Sequence, residues 1–114
     1  DAAYFNRGIA RLLLGQTAAA EEDFTTVIGR NPDDAGAFLN RARARAERAP
    51  AQAEADFDRA IELDPEWGRA WAARGLFLED RGRIEEAERD FLRAYELGEA
   101  ERWLVERVQR IGGG

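Results

Sequence analysis

The sequence contains no cysteine, histidine, serine, lysine or methionine. Because the usual nucleophiles, the histidine base and the lysine amine are all missing, the composition argues against an enzyme. Only carboxylates, two tyrosines and three threonines could serve in acid–base chemistry, and a carboxylate pair of the glycosidase type remains formally possible. We therefore predict no catalytic residue, no metal ligand and no cofactor. Without cysteine, the redox compartment stays undetermined.

Long apolar runs and an excess of positive charge are lacking too. No run approaches the ~18 apolar residues of a membrane-spanning helix, so we expect no membrane insertion and leave cytoplasm and periplasm open. The net charge of −6 disfavours nucleic acid as a partner, because such proteins usually carry a basic stripe. All 17 basic residues are arginine. Four of them are clustered, and we interpret the cluster as an ion-paired helix face rather than an RNA site: Arg41, Arg43, Arg45 and Arg48.

The chain repeats one sequence signature three times. An aromatic residue is followed three positions later by arginine and then by a small residue, as in Tyr4-x2-Arg7-Gly8, Phe38-x2-Arg41-Ala42 and Trp71-x2-Arg74-Gly75. An Ala-x3-Phe pair follows each time, at Ala20 and Phe24, Ala53 and Phe57, and Ala87 and Phe91. A period of about 34 residues is typical of stacked helical hairpins, none of which can bury its apolar face alone. It favours a docking surface over an enzyme pocket.

Apolar periodicity and turn residues predict three hairpins within residues 2–14, 18–30, 35–48, 51–63, 68–81 and 84–97. Gly82 is expected in a turn between helices, Gly98 as a C-cap and Pro50 in the first helical turn. A last helix at about 101–111 carries one apolar stripe of Leu104, Val108 and Ile111, and its opposite face carries Arg102, Glu106, Arg107 and Arg110. Such an atypical helix caps a solenoid. Residues 112–114 are predicted to be a disordered tail.

These motifs resemble the tetratricopeptide repeat family, whose pattern is W-x2-L-G-x2-Y…A-x3-F…P. The resemblance covers about residues 2–97, and the segments Asn6-Arg7-Gly8 and 60–65 resemble bacterial members. It implies an all-α, right-handed α-solenoid in one domain, 1–114, with three antiparallel hairpins (about 2–34, 35–67 and 68–99) and a terminal capping helix. Arginine replaces the family's leucine in each repeat, and Glu99 stands where the third repeat should have proline.

The repeating residues have packing explanations. The small residues Gly8, Ala42 and Gly75 should let paired helices approach closely, and the three phenylalanines should fill the core. The arginines at 7, 41 and 74 recur in step with Asp23, Asp56 and Asp90. We interpret them as ion pairs within or between hairpins; a ladder of groove charges is the alternative.

The resemblance implies a concave surface lined by the first helix of each hairpin. Its candidate partner-binding residues in this chain are Phe5, Asn6, Ile9, Leu39, Asn40, Arg43, Arg69 and Leu76. One subset of the family binds a peptide's C-terminal carboxylate with lysine, asparagine and arginine side chains. Phe5, Ile9 and Ala73 occupy three of those positions here, and only Asn40 matches outright, with Arg69 as a conservative stand-in. The sequence therefore does not support a carboxylate clamp.

We predict a non-catalytic scaffold that binds a peptide or helix segment of another protein in this groove. The apolar first helix, with Phe5, Ile9 and residues 12–14, could instead pack on an upstream repeat, since the chain begins at Asp1 and is expected to be a fragment. The alternative function is self-assembly into homo-oligomers by end-to-end or groove-mediated stacking.

Overall fold

The computed structural model describes residues 2–113, and these form seven α-helices without a β-strand. In chain order they are α1 (Ala2–Leu13), α2 (Thr17–Arg30), α3 (Ala35–Arg45), α4 (Pro50–Leu63), α5 (Gly68–Asp80), α6 (Ile84–Glu96) and α7 (Arg102–Gly113). The chain divides into two compact units. The first ends at Asp64 and contains α1–α4, and the second begins at Pro65 and contains α5–α7.

The helix boundaries follow the prediction closely, because five helices agree to within one residue at either end. α3 ends early, at Arg45, since residues 46–48 form the turn that leads to Pro50 at the start of α4. α7 runs beyond its expected end: Gly112 and Gly113, predicted to be disordered, form its last turn. A glycine costs a helix only about 1 kcal/mol relative to alanine, which the preceding turns can outweigh. Gly114 lies outside the described residues.

Glycines follow the ends of three helices, and two of them, Gly82 and Gly98, stand where the sequence predicts. Gly15, Gly82 and Gly98 have φ angles of 78°, 77° and 102°. Side chains with a Cβ rarely adopt this left-handed conformation, so glycine is the natural residue where the chain reverses after a helix.

In the first unit, the hairpin α1–α2 closes around Phe24. The core comprises Ala20, Phe24 and Ala44, with Phe5, Ile9 and Leu12 packed against it. A Cβ on Gly8 would lie 2.8 Å from Cζ of Phe24, closer than real Cβ atoms come. The predicted close approach of paired helices is thus confirmed here. Ala42, Ala53 and Phe57 are buried at the corresponding positions of the hairpin α3–α4.

In the second unit, the hairpin α5–α6 repeats the arrangement and α7 packs on it. A Cβ on Gly75 would lie 2.6 Å from Cε1 of Phe91. Leu104 of α7 is fully buried, which confirms that the predicted apolar stripe packs inward. Trp103, which the stripe does not include, meets Phe91 edge to face, with ring centroids 5.8 Å apart. α7 therefore shields the phenylalanine core of this unit.

Candidate functional site

The predicted apolar groove residues of α1 pack partly into the hydrophobic core. Phe5 meets Phe24 edge to face, with ring centroids 5.7 Å apart, and Ile9 packs in the same cluster. Both are half-buried, so each presents only part of its side chain to a ligand. Asn6, between them in sequence, is exposed.

Of the three predicted groove residues on α3, Leu39 and Asn40 are buried and Arg43 is exposed. Leu39 is only 2% exposed and has almost no surface to offer a ligand. Asn40 is buried too: its Nδ2 donates to the carbonyl of Gly36 at 2.9 Å, and its Oδ1 accepts from Nη1 of Arg43 at 3.2 Å. The amide therefore orients the exposed Arg43, a role that the sequence pattern does not reveal.

In the second unit, Arg69 and Leu76 are exposed on α5. They are seven residues apart, so they lie on the same helix face two turns from each other. Ala73, between them, is half-buried. The structure thus packs Phe5 and Ile9 in one cluster and joins Asn40 to Arg43, whereas Arg69 and Leu76 share only a helix face.

The recurring arginine and aspartate residues form bidentate ion pairs inside each hairpin, as predicted. Arg7 donates from Nε and Nη2 to the carboxylate of Asp23 at 3.1 and 2.7 Å. The same two-bond geometry joins Arg41 to Asp56, at 2.9 and 2.9 Å, and Arg74 to Asp90, at 2.8 and 2.9 Å. All three carboxylates are buried. These pairs link the two helices of a hairpin, which makes them structural.

Each of these arginines also lies over the aromatic residue three positions before it. The guanidinium carbon is 5.4 Å from the ring centroid of Tyr4, and 5.5 Å and 5.1 Å from those of Phe38 and Trp71. Such distances are those of cation–π contacts. The arginine that replaces the family's leucine therefore covers an aromatic ring and neutralises a buried carboxylate at the same time.

Three further arginines extend the network in the first unit. Arg11 donates to Asp23 at 3.1 Å. Arg45 donates to Asp56 at 3.0 Å and to Glu21 at 2.8 Å, so it joins the two hairpins of the unit. Arg48 also pairs with Glu21. The predicted ion-paired character of the arginine cluster is confirmed for Arg41 and Arg45 of α3 and for Arg48 in the turn after it.

The carboxyl pKa values follow from this pairing. The hydrogen bond from Arg7 holds the pKa of Asp23 below its usual 3.8, against the opposing effect of burial. Arg107 lowers the pKa of Glu79 from its usual 4.5 in the same way. A catalytic acid needs the opposite shift. Among residues 2–113, no cluster of acidic side chains could hold a metal ion.

The prediction that Arg107 of α7 lies on an outer polar face is wrong, because Arg107 forms an ion pair with another helix. Arg107, assigned to the outer polar face, donates from Nε and Nη2 to Glu79 of α5, both at 2.8 Å. Its guanidinium also lies 5.5 Å from the ring centroid of Phe91. The helical wheel fails here because a long arginine stem packs on apolar surface while its charged end reaches a partner.

Two apolar surfaces lie outside the predicted groove residues, and the second of them belongs to the segment 12–14 that could pack on an upstream repeat. A cleft of about 250 Å³ between α6 and α7 is lined by Ile84, Phe91 and Ile111, with Glu79, Glu88, Arg107 and Arg110 around them. In the first unit, Leu13 and Leu14 project into solvent at the end of α1. No helix in the described part of the chain is long and apolar enough to cross a membrane.

Helical hairpins that repeat a Gly/Ala–Phe contact define an all-α repeat protein with an interaction surface. Residues 5–49 and 44–102 match the family described as Tetratricopeptide repeat, and the chain belongs to that family. Proteins of this fold are generally non-catalytic interaction modules.

Among curated proteins, the chain is 39% identical over 106 residues to Tetratricopeptide repeat protein 36 of Homo sapiens. That match covers 87% of this chain and 56% of the relative, so the chain spans about half the length of this relative. The bacterial type stays a prediction.

Two solved structures confirm the solenoid of helical hairpins. The second TPR of Spaghetti (RPAP3) bound to HSP90 peptide SRMEEVD is similar with a TM-score of 0.75 and 30% identity, over 83% of this chain and 89% of that one. The second TPR domain of human RPAP3 in complex with HSP70 peptide SGPTIEEVD has a TM-score of 0.81 and 28% identity, over 96% and 92%.

Proposed function

We propose that the chain is a non-catalytic protein-interaction scaffold that binds a peptide or helix segment through the first helices of its hairpins. The similarity to two peptide-bound domains, each at least 28% identical, is the observation that carries this proposal. The pairing of each buried carboxylate with an arginine supports the non-catalytic part of the proposal, because a carboxylate held in such an ion pair is not available to donate a proton.

Side-chain exposure guides our assignment of residues to such a ligand. Asn6 and Arg43 are exposed in the first unit, and Arg69 and Leu76 in the second. We assign Asn6 to hydrogen bonding with the ligand backbone, the two arginines to acidic groups and Leu76 to an apolar side chain. The burial of Leu39 argues against a ligand contact there, and we assign Asn40 the role of positioning Arg43. No nucleic acid partner is expected at this net charge.

The proposed recognition does not depend on a free peptide carboxylate. Of the positions that bind one in the carboxylate-clamp subset, only Asn40 and Arg69 have suitable side chains, and the amide of Asn40 already bonds within α3. Labelled SRMEEVD with a free or an amidated C-terminus separates the alternatives in a fluorescence anisotropy titration. We expect equal affinity for the two forms. A free acid that binds about tenfold tighter would show that a clamp operates.

A second probe is a peptide that is selected from a displayed library for binding to the whole chain. Its use does not assume that the ligand resembles SRMEEVD. We expect Arg43→Ala and Arg69→Ala each to weaken its binding about tenfold, since each removes a charged hydrogen bond. Arg102→Ala is the matched control, because the Arg102 side chain is 92% exposed on α7. An equal loss in the control, or no selected peptide at all, would contradict the proposal.

Self-association is the second candidate function. The observation that favours it is the exposure of Leu13 and Leu14, since a protein that remains monomeric rarely leaves neighbouring large apolar side chains in water.

A further inference from the structure

The first helices of the first unit, α1 and α3, contain five arginines and no acidic residue: Arg7, Arg11, Arg41, Arg43 and Arg45. Four of these arginines form ion pairs with carboxylates of α2 and α4. Arg43 is the exposed member on α3, and it donates to the amide of Asn40. The acidic residues nearest to α3 in sequence, Asp34 and Glu47, lie outside the helix, and Asp34 caps it by accepting from the N–H of Ala37 at 3.0 Å.

The helices α1 and α3 run side by side in the same direction. Short turns connect α2 to both of them, so each is antiparallel to α2. A Cβ on Gly36 would lie 3.4 Å from Cζ of Phe5, which places the start of α3 against this ring. Ile9 follows Phe5 by about one turn, and Asn40 follows Gly36 by the same number of residues. The two pairs therefore advance together along the first unit.

An apolar row and a polar row result from this arrangement. We refer to the half-buried Phe5 and Ile9 of α1 as the apolar row, and to Asn40 and Arg43 of α3 as the polar row. The amide of Asn40 donates to the carbonyl of Gly36 at 2.9 Å and accepts from Nη1 of Arg43 at 3.2 Å. These two bonds keep the guanidinium of Arg43 close to the surface that Gly36 shares with Phe5.

The spacing of the apolar row matches an extended ligand. Four residues of an α-helix, the separation of Phe5 and Ile9, advance by about 6 Å. Two residues of an extended segment advance by about 6.6 Å, and successive side chains point to opposite sides. Alternate residues of such a segment can therefore contact Phe5 and Ile9, while the residue between them points to the polar row. A carboxylate there complements Arg43, because neither helix contributes an acidic residue that would repel it.

We propose that the first unit binds an extended segment of another protein in which one acidic residue stands between two apolar residues. The acidic side chain pairs with Arg43, and the two apolar side chains contact Phe5 and Ile9. This inference rests on the proposed scaffold function and names the class of ligand for its first-unit site. The pattern lies inside a segment, so recognition requires no free C-terminus.

Selection from a random displayed library tests the pattern on the whole chain and on Arg43→Glu, with fixed residues flanking every peptide at both ends. We expect the parent chain to select an acidic residue between two apolar ones. Arg43→Glu should select lysine or arginine at the middle position and keep the apolar neighbours, because only the charge of the polar row is reversed. Arg102→Glu is the matched control, since that side chain is 92% exposed on α7, and it should select the same peptides as the parent chain.

A selected peptide, synthesised with both ends capped, measures the charge pair by fluorescence anisotropy. Replacing its middle acidic residue by lysine should weaken binding to the parent chain about tenfold or more, and Arg43→Glu should restore most of the lost affinity. Circular dichroism verifies that the variants fold. Arg43→Gln replaces Arg43→Glu if the latter unfolds, and it should select no preferred charge at the middle position.

The outcomes separate this inference from the proposed function. The inference is overturned if the selected peptides lack the alternating pattern, or if Arg43→Glu selects the same acidic residue as the parent chain. In both cases the scaffold function still stands, because peptides bind. Failure of the parent chain to select any peptide would instead contradict the scaffold function itself.

Discussion

Arg7, Arg41 and Arg74 each hold three groups together: their own helix, an aromatic ring and a carboxylate on the second helix of the hairpin. Leucine, the family's residue, could cover the ring but would remove the two-bond partner of each buried aspartate. Lysine could neutralise the aspartate but could not form two parallel bonds. Arginine is therefore the side chain that fits this residue environment.

The most buried of these pairs should matter most for stability. Asp56 accepts two bonds from Arg41 and one from Arg45, and none of the three side chains is well exposed. We expect Asp56→Asn to lower the free energy of unfolding by about 3 kcal/mol, since two guanidinium groups lose their counter-charge. Urea unfolding measures it. Glu62→Gln, which alters an exposed pair with Arg59, should change stability by less than about 0.5 kcal/mol, and an equal effect of both would contradict this account.

The same pairing makes stability depend on acidity. The folded-state pKa values of Asp23 and Glu79 lie below their usual 3.8 and 4.5. The unfolded chain therefore binds protons first on acidification, so the stabilisation is complete above about pH 5 and is lost as pH falls through the lowered pKa values. We expect the thermal midpoint to drop steadily below pH 5. The thermal midpoint should drop less in Asp23→Asn. If its dependence on pH is the same in that variant as in the parent chain, Asp23 is not a source of the acid sensitivity.

At the scale of helices, the hairpins depend on how closely their partners approach. Gly8 and Gly75 lie directly against a phenylalanine ring, whereas Ala42 occupies the same place in the hairpin α3–α4 and is fully buried. The methyl group of an alanine is thus accommodated at this position in the hairpin α3–α4, but the phenylalanine ring leaves no room for it in the hairpins α1–α2 and α5–α6.

Replacing glycine by alanine should therefore change the free energy of unfolding in opposite directions at two positions. Gly75→Ala would place its Cβ 2.6 Å from the Phe91 ring, and we expect a loss of about 1–3 kcal/mol. Gly29→Ala, in α2, has no atom within 4 Å of its new Cβ, and it should gain about 0.5–1 kcal/mol because alanine favours the helix. Chemical denaturation of the two variants checks both values. Stabilisation by Gly75→Ala would disprove the close approach.

For the molecule as a whole, the repeat was enough to predict the helices, the core and the three ion pairs, because each depends on periodicity. Side chains whose role depends on a local partner were harder to predict. The pattern marks Asn40 as a groove residue, yet its amide turns inward to Gly36 and holds Arg43. Arg107 lies on the polar side of the helical wheel, yet it reaches Glu79. The orientation of Asn40 depends on hydrogen bonds within α3 and that of Arg107 on a partner in another helix, and the repeat pattern specifies neither.

The three tryptophans of the chain, Trp67, Trp71 and Trp103, all belong to the second unit. Indole fluorescence therefore reports the unfolding of that unit alone, whereas circular dichroism averages over the helices of both. The single domain predicted from the repeats requires the two signals to change together, while independent units would give two separate curves. The natural placement of the tryptophans thus provides a label-free probe of cooperativity between the two halves of the chain.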